Sequence, residues 1–101
     1  TVYVGGNFTT MGGATRFRLA AIGTDGTLST TWNPNANGKV NALAVSGSTV
    51  YVGGEFTTMG DVTRNGLAAI GTDGTLNATW NPGNGNVNAI AVSGSTVILG
   101  Q

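Results

Sequence analysis

Eight side chains carry charge in this 101-residue chain: Asp25, Glu55, Asp61 and Asp73 against Arg16, Arg18, Lys39 and Arg64. It has no histidine and no cysteine, so the commonest general base, the commonest transition-metal ligand and all thiolate chemistry are missing. Carboxylate-pair hydrolysis needs two acids held at a fixed separation, and the spacing of these four does not provide it. Asp25 and Asp73 each precede a glycine between apolar runs, where a type I′ hairpin turn explains them. Glu55 and Asp61 share one loop and could approach a cation. Calcium wants a denser acidic loop, so they read as solvated charges. A Ser–Lys nucleophile is formally open to Lys39, but Lys39 lies in an Asn/Gly-rich link. The Gly-rich stretches lack the strand-to-helix setting and the lysine of a phosphate loop. No catalytic residue, cofactor or metal site is expected.

Binding chemistry has more to work with. Trp32 and Trp80 each stand in Thr-Trp-Asn-Pro, and an exposed indole beside a carboxamide can stack on a sugar ring. Trp32, Asn33, Trp80 and Asn81, with Arg16 and Arg64, form a candidate glycan-binding set. Each has a structural reading as well. The indoles share an apolar face with Leu28 and Leu76, which points to packing between sheets. Asn33 and Asn81 can bond backbone at the Asn-Pro turn. Arg16 and Arg64 can bond loop carbonyls or stack on a ring. Arg18 and Lys39 have no counterpart elsewhere in the chain and read as surface residues. Asn7-Phe8-Thr9 and Asn77-Ala78-Thr79 have the form of glycosylation acceptors, a form common by chance in a Thr- and Asn-rich chain.

These residues come in pairs because the chain repeats itself. Thr49 to Gly54 restates Thr1 to Gly6, Leu67 to Leu76 restates Leu19 to Leu28, and Trp80 follows Trp32 at an offset of 48 residues. The offset falls to 47 by Val40 and Val87, because the second Asn/Gly turn is one residue shorter. A period of this size signals a solenoid, propeller or array, whose unit cannot bury its own apolar surface. The chain is therefore one module of residues 1–101, with repeat equivalents at 1–39, 40–86 and a partial 87–101.

Net charge is zero and only 8% of residues are charged, against about 25% in ordinary soluble domains. No basic face is available for nucleic acid or an anionic membrane. Solubility falls to Thr, Asn, Ser and Gly, which suits a secreted or cell-surface setting. The apolar runs are too short for a transmembrane helix or a signal peptide. The chain starts inside a repeat, so a fragment of a longer protein is one expected origin.

One repeat reads as four strands in series. Val40 to Val45 is apolar on both faces, as a strand buried on both sides would be. Ser46 to Thr49 is a tight primed turn into Val50–Gly54. Residues 57–65 form a loop. Leu67 to Ile70 is the third strand. Leu76 to Trp80 is the fourth, with Leu76, Ala78 and Trp80 on one face. Such antiparallel meanders packed radially make a β-propeller, an all-β fold. The Gly pairs at 5–6 and 53–54 allow close backbone approach there, or equally a bulge.

The linked motifs Val-Gly-Gly-x-Phe-Thr-Thr-x-Gly, Arg-x-x-Leu-Ala-x-Ile, Asp-Gly-Thr-Leu, Trp-Asn-Pro and Val-Asn-Ala-Leu-Ala-Val resemble the bacterial delta-sixty repeat. That family is classed as a β-propeller domain of unknown function, and the resemblance covers essentially the whole chain. Phe-Asn-Pro is usual in the family where this chain has Trp32-Asn33-Pro34 and Trp80-Asn81-Pro82, and a longer Pro-Asp-Gly turn where it has Ser46-Gly47-Ser48. The resemblance implies bacterial secreted or surface proteins and carries no site residue onto this sequence.

The strand count exceeds two blades by one. Thr1 to Gly6 and Thr96 to Gln101 occupy the same place in the repeat. Two blades cannot close a ring, which takes about 4–8, and they leave edges and apolar faces open. The expected partner is the chain itself, joined head-to-tail. A trimer gives six blades and a tetramer eight. Strand exchange lets one copy accept Val87 to Val92 of the next. The sequence leaves open which duplicated strand is used. A self-assembling scaffold and a lectin-like glycan binder, with one site per repeat near the loop at 57–65 and the Trp-Asn-Pro ends, are the two functional expectations; an enzyme is not expected.

Overall fold

Short apolar runs separated by Gly, Asn and Asp can form only short strands, and strands make up the architecture. The computed structural model describes residues 1–81 and 85–100. Among these there are eleven strands: β1 (Val2–Gly5), β2 (Thr10–Met11), β3 (Ala14–Thr15), β4 (Leu19–Ile22), β5 (Val40–Ser46), β6 (Thr49–Gly54), β7 (Thr58–Met59), β8 (Val62–Thr63), β9 (Leu67–Gly71), β10 (Ala89–Ser93) and β11 (Thr96–Gly100).

The second repeat contains the sheet β5-β6-β9, antiparallel throughout. The first repeat has β1-β4 in the same register, without a counterpart of β5. Val2 faces Ile22 and Tyr3 faces Ala21, as Val50 faces Ile70 and Tyr51 faces Ala69. The third, partial repeat contains the hairpin β10-β11, where Val92 faces Val97 as Val45 faces Val50. Each sheet is thus a copy of one pattern with different strands present.

Three local differences from the sequence reading have physical causes. The fourth strand is reduced to one bridge per repeat, Leu28 to Ile22 and Leu76 to Ile70. Beyond the second bridge the Asn77 carboxamide accepts the N–H groups of Thr79 and Trp80 at 3.0 and 3.1 Å. This side-chain turn draws the backbone off the ladder. Residues 57–65 are not simply a loop, since β7 and β8 pair there about Gly60-Asp61. Both turn residues have positive φ, as a type I′ turn requires. The Asp-Gly hairpins, by contrast, are not type I′. Only Gly26 and Gly74 are left-handed there, and the Asp25 and Asp73 carboxylates accept the N–H of Thr27 and Thr75, both at 3.0 Å. That is a type I turn closed by a left-handed glycine. The Gly47 turn is primed as expected, with φ +59.

The core is assembled between repeats. Leu19, Ala21, Trp32, Ala36 and Val40 pack with Val50, Val52, Phe56, Met59 and Ile70. Burial of β5 on both faces does not hold in the single chain. Val40 is buried, Asn41 to Ala44 are half-buried, and Val45 is 52% exposed. Besides its ladder partner β6, it packs beside β1 and β10.

Candidate functional site

The repeat-to-repeat junction begins with an arginine. Arg16 is buried, with its guanidinium bonded to the carbonyls of Thr15 and Ser29 at 2.6 and 2.8 Å. Arg64 repeats this on Thr63 and Asn77 at 2.7 and 2.9 Å. The same two residues hold the tryptophans: Trp32 N–H donates to Ser29 Oγ, and Trp80 N–H to Asn77 Oδ1. In each repeat, then, one residue ties arginine to tryptophan. The guanidinium charge is met by carbonyl dipoles, which suits a planar five-donor cation.

Trp32 next reaches across the junction. Its ring meets Tyr3 of its own repeat edge-on at 4.9 Å. Its Nε1–H donates to the carbonyl of Gly71 in the second repeat at 3.0 Å. The indole is 2% exposed, so no sugar can stack on it. Trp80 has the same in-repeat contact, with Tyr51 at 5.2 Å, yet it is only half-buried. Gly23, the counterpart of Gly71, lies at the opposite end of the chain's repeat pattern. Asn33 and Asn81 are exposed. Four of the six candidate residues therefore gather into two arginine–tryptophan pairs, one per repeat, and Asn33 and Asn81 stay exposed outside them.

Two further contacts define the junction. Val40 N–H bonds Gly6 O at 3.0 Å and Val87 N–H bonds Gly54 O at 3.1 Å. Between inner strands, Asn41 Nδ2 donates to Val87 O and Asn88 Oδ1, both at 3.2 Å. Tyr3, Tyr51, Asn41 and Asn88 were not singled out as site residues in the sequence. Their signal was available, because each is repeat-equivalent to another member of the set. Among the described residues no three acids converge as a metal site.

Well over half of the chain, residues 1–31 and 48–79, matches the family described as "Domain of unknown function (DUF5122) beta-propeller". The chain belongs to that family. Its two matched segments fall one in each repeat, and the unmatched stretch between them holds Trp32, the link and all of β5. Neither a curated protein nor a solved structure matches the chain. For this β-propeller domain the junction geometry is thus the direct guide to role.

Proposed function

We propose that the chain is a self-assembling two-repeat propeller module that closes into a homo-oligomeric ring. Three copies supply six blades; four copies supplying eight is the next arrangement. It is a scaffold of the delta-sixty type, suited by its low charge to a secreted or surface protein, and it has no enzymatic activity of its own.

The observation that carries this reading is the shared register. Among the described residues, β1-β4 lacks only the first strand that β5 gives to β6. β10 is such a strand, and its hairpin register equals that of β5. Set on β1 of a second copy, β10 puts Val92 opposite Val2, Ala91 opposite Tyr3 and Ile90 opposite Val4. Trp80 then meets Gly23 of that copy as Trp32 meets Gly71 within the chain. β11, the counterpart of β1 in the repeat, gives way in this arrangement. Gln101, at the end of that duplicated stretch, lies outside the described residues.

Cysteine pairs test the exchange. Val2→Cys with Val92→Cys is expected to link different copies on oxidation, since opposed strand residues lie within disulfide reach. If instead only Val92→Cys with Val97→Cys forms a bridge, inside one chain, the exchange is refuted.

A further inference from the structure

Near-identical repeats act as an internal control, because whatever the fold requires must appear in both. Residues that break the repeat are free of that demand. Several breaks fall in one place. Phe17 and Arg18 stand where the second repeat has Asn65 and Gly66, and Asp61 stands where the first has Gly13. The link at 35–37 belongs to the stretch that is one residue longer than its counterpart. All of them line one cleft of about 370 Å³ at the junction of the two repeats, together with Thr58.

The backbone marks the same place. Among the described residues, three non-glycine residues have positive φ: Arg18 at 68°, Asn35 at 63° and Asp61 at 69°. All three line this cleft. At Arg18 and Asp61 the other repeat supplies a glycine that is also left-handed, Gly66 at 77° and Gly13 at 84°. The chain has thus placed a strained arginine, and a charged aspartate in a turn that needs positive φ, where its own repeat offers glycine. Strain held in this way clusters at ligand clamps.

The group inventory gives the ligand's chemistry. Phe17 is 40% exposed, an open aromatic face at the rim. Arg18 gives one N–H to the Ala36 carbonyl at 3.1 Å, and its Nε, like those of Arg16 and Arg64, has no partner. Asp61 supplies carboxylate acceptors and Thr58 a hydroxyl. Asn37 is committed to Thr57 and Thr58 and forms the wall, whereas Asn35 is exposed. A hydroxyl-rich ring uses all of these. Vicinal hydroxyls donate to one carboxylate, accept from a guanidinium, and leave a C–H face for the aromatic ring. The volume lies at the small end of the ~300–1,000 Å³ range of ligand sites, which suits a single sugar ring.

We infer that this cleft is a saccharide site, one per chain and not one per repeat. Both its walls belong to one chain, so it stands independently of ring closure.

The test titrates the 101-residue chain with glucose, galactose, mannose, fucose, N-acetylglucosamine and N-acetylgalactosamine, followed by amide NMR shifts. Free glycine and phenylalanine serve as zwitterionic comparators. One or more sugars are expected to shift the amides of 17–18, 35–37 and 58–61. Arg18→Gly and Asp61→Gly are expected to weaken that binding by at least about tenfold. Both install the glycine of the other repeat, so the thermal midpoint stays level or rises, which separates lost binding from lost fold. The inference is overturned if no sugar binds, if only the amino acids bind, or if both variants bind as tightly as the parent.

Discussion

A buried arginine held by carbonyls has no cheap substitute, and Arg64 is 4% exposed. Arg64→Met keeps the apolar bulk but strips two donors from the carbonyls of Thr63 and Asn77. A loss of about 2–4 kcal/mol is expected in urea unfolding, from buried acceptors left without donors. Glycine positions act in the opposite sense across the repeats. Gly66 has φ +77, and a Cβ there collides with the Gly85 carbonyl, so Gly66→Ala is expected to cost more than about 1 kcal/mol. Arg18→Gly, at the equivalent place, is expected to be neutral or stabilising in the same assay. The hairpin aspartates set an acid limit. Hydrogen bonds from the Thr27 and Thr75 backbone hold the Asp25 and Asp73 carboxyls below the ordinary aspartate value. A group with a lowered folded pKa stabilises fully above its unfolded pKa and loses that contribution as pH falls through the folded one. Stability is therefore expected to drop below about pH 4, and Asp25→Asn with Asp73→Asn is expected to flatten that drop in a pH series of thermal midpoints.

At the scale of elements, the tryptophans separate packing within a chain from packing between chains. Trp32→Phe keeps the ring but loses the bond to Gly71, and about 1 kcal/mol of monomer stability is expected to go with it. Trp80→Phe is expected to leave the monomer nearly unchanged and to weaken assembly, read by sedimentation over a dilution series. Strands one to three were legible in the sequence because alternation and turn residues bound them on both sides. The fourth was not, since Leu76, Ala78 and Trp80 carry a strand pattern while Asn77 folds its carboxamide onto the following amides. That competition between side chain and ladder leaves no mark on hydrophobic periodicity. The β7–β8 hairpin was hidden by its length of two residues per strand. The arginine–tryptophan pairing was legible as repetition, although its inward direction was not. The saccharide cleft lies among residues that read individually as surface, and only the fold brings Arg18 beside the 35–37 link and Asp61.

For the whole molecule, the register shared by three incomplete sheets is the central fact. β5 has its neighbours β1 and β10 and still exposes Val45; Val2, Ile98 and Leu99 are exposed at the ends of the repeat pattern. Apolar strands with open edges invite pairing. A head-to-tail ring satisfies them without an open filament only if the rotation closes. Deleting Thr96 to Gln101 is expected to leave assembly intact, because β1 of the next copy takes the place of β11; loss of the oligomer on deletion would assign that place to β11. The most direct measurement is the native mass of the 101-residue chain in dilute solution, by light scattering or native mass spectrometry. A closed trimer is expected, or a tetramer as the second arrangement, with no larger ladder of species. A folded monomer would contradict it and would mean that the edges of β1 and β10 are satisfied within one chain.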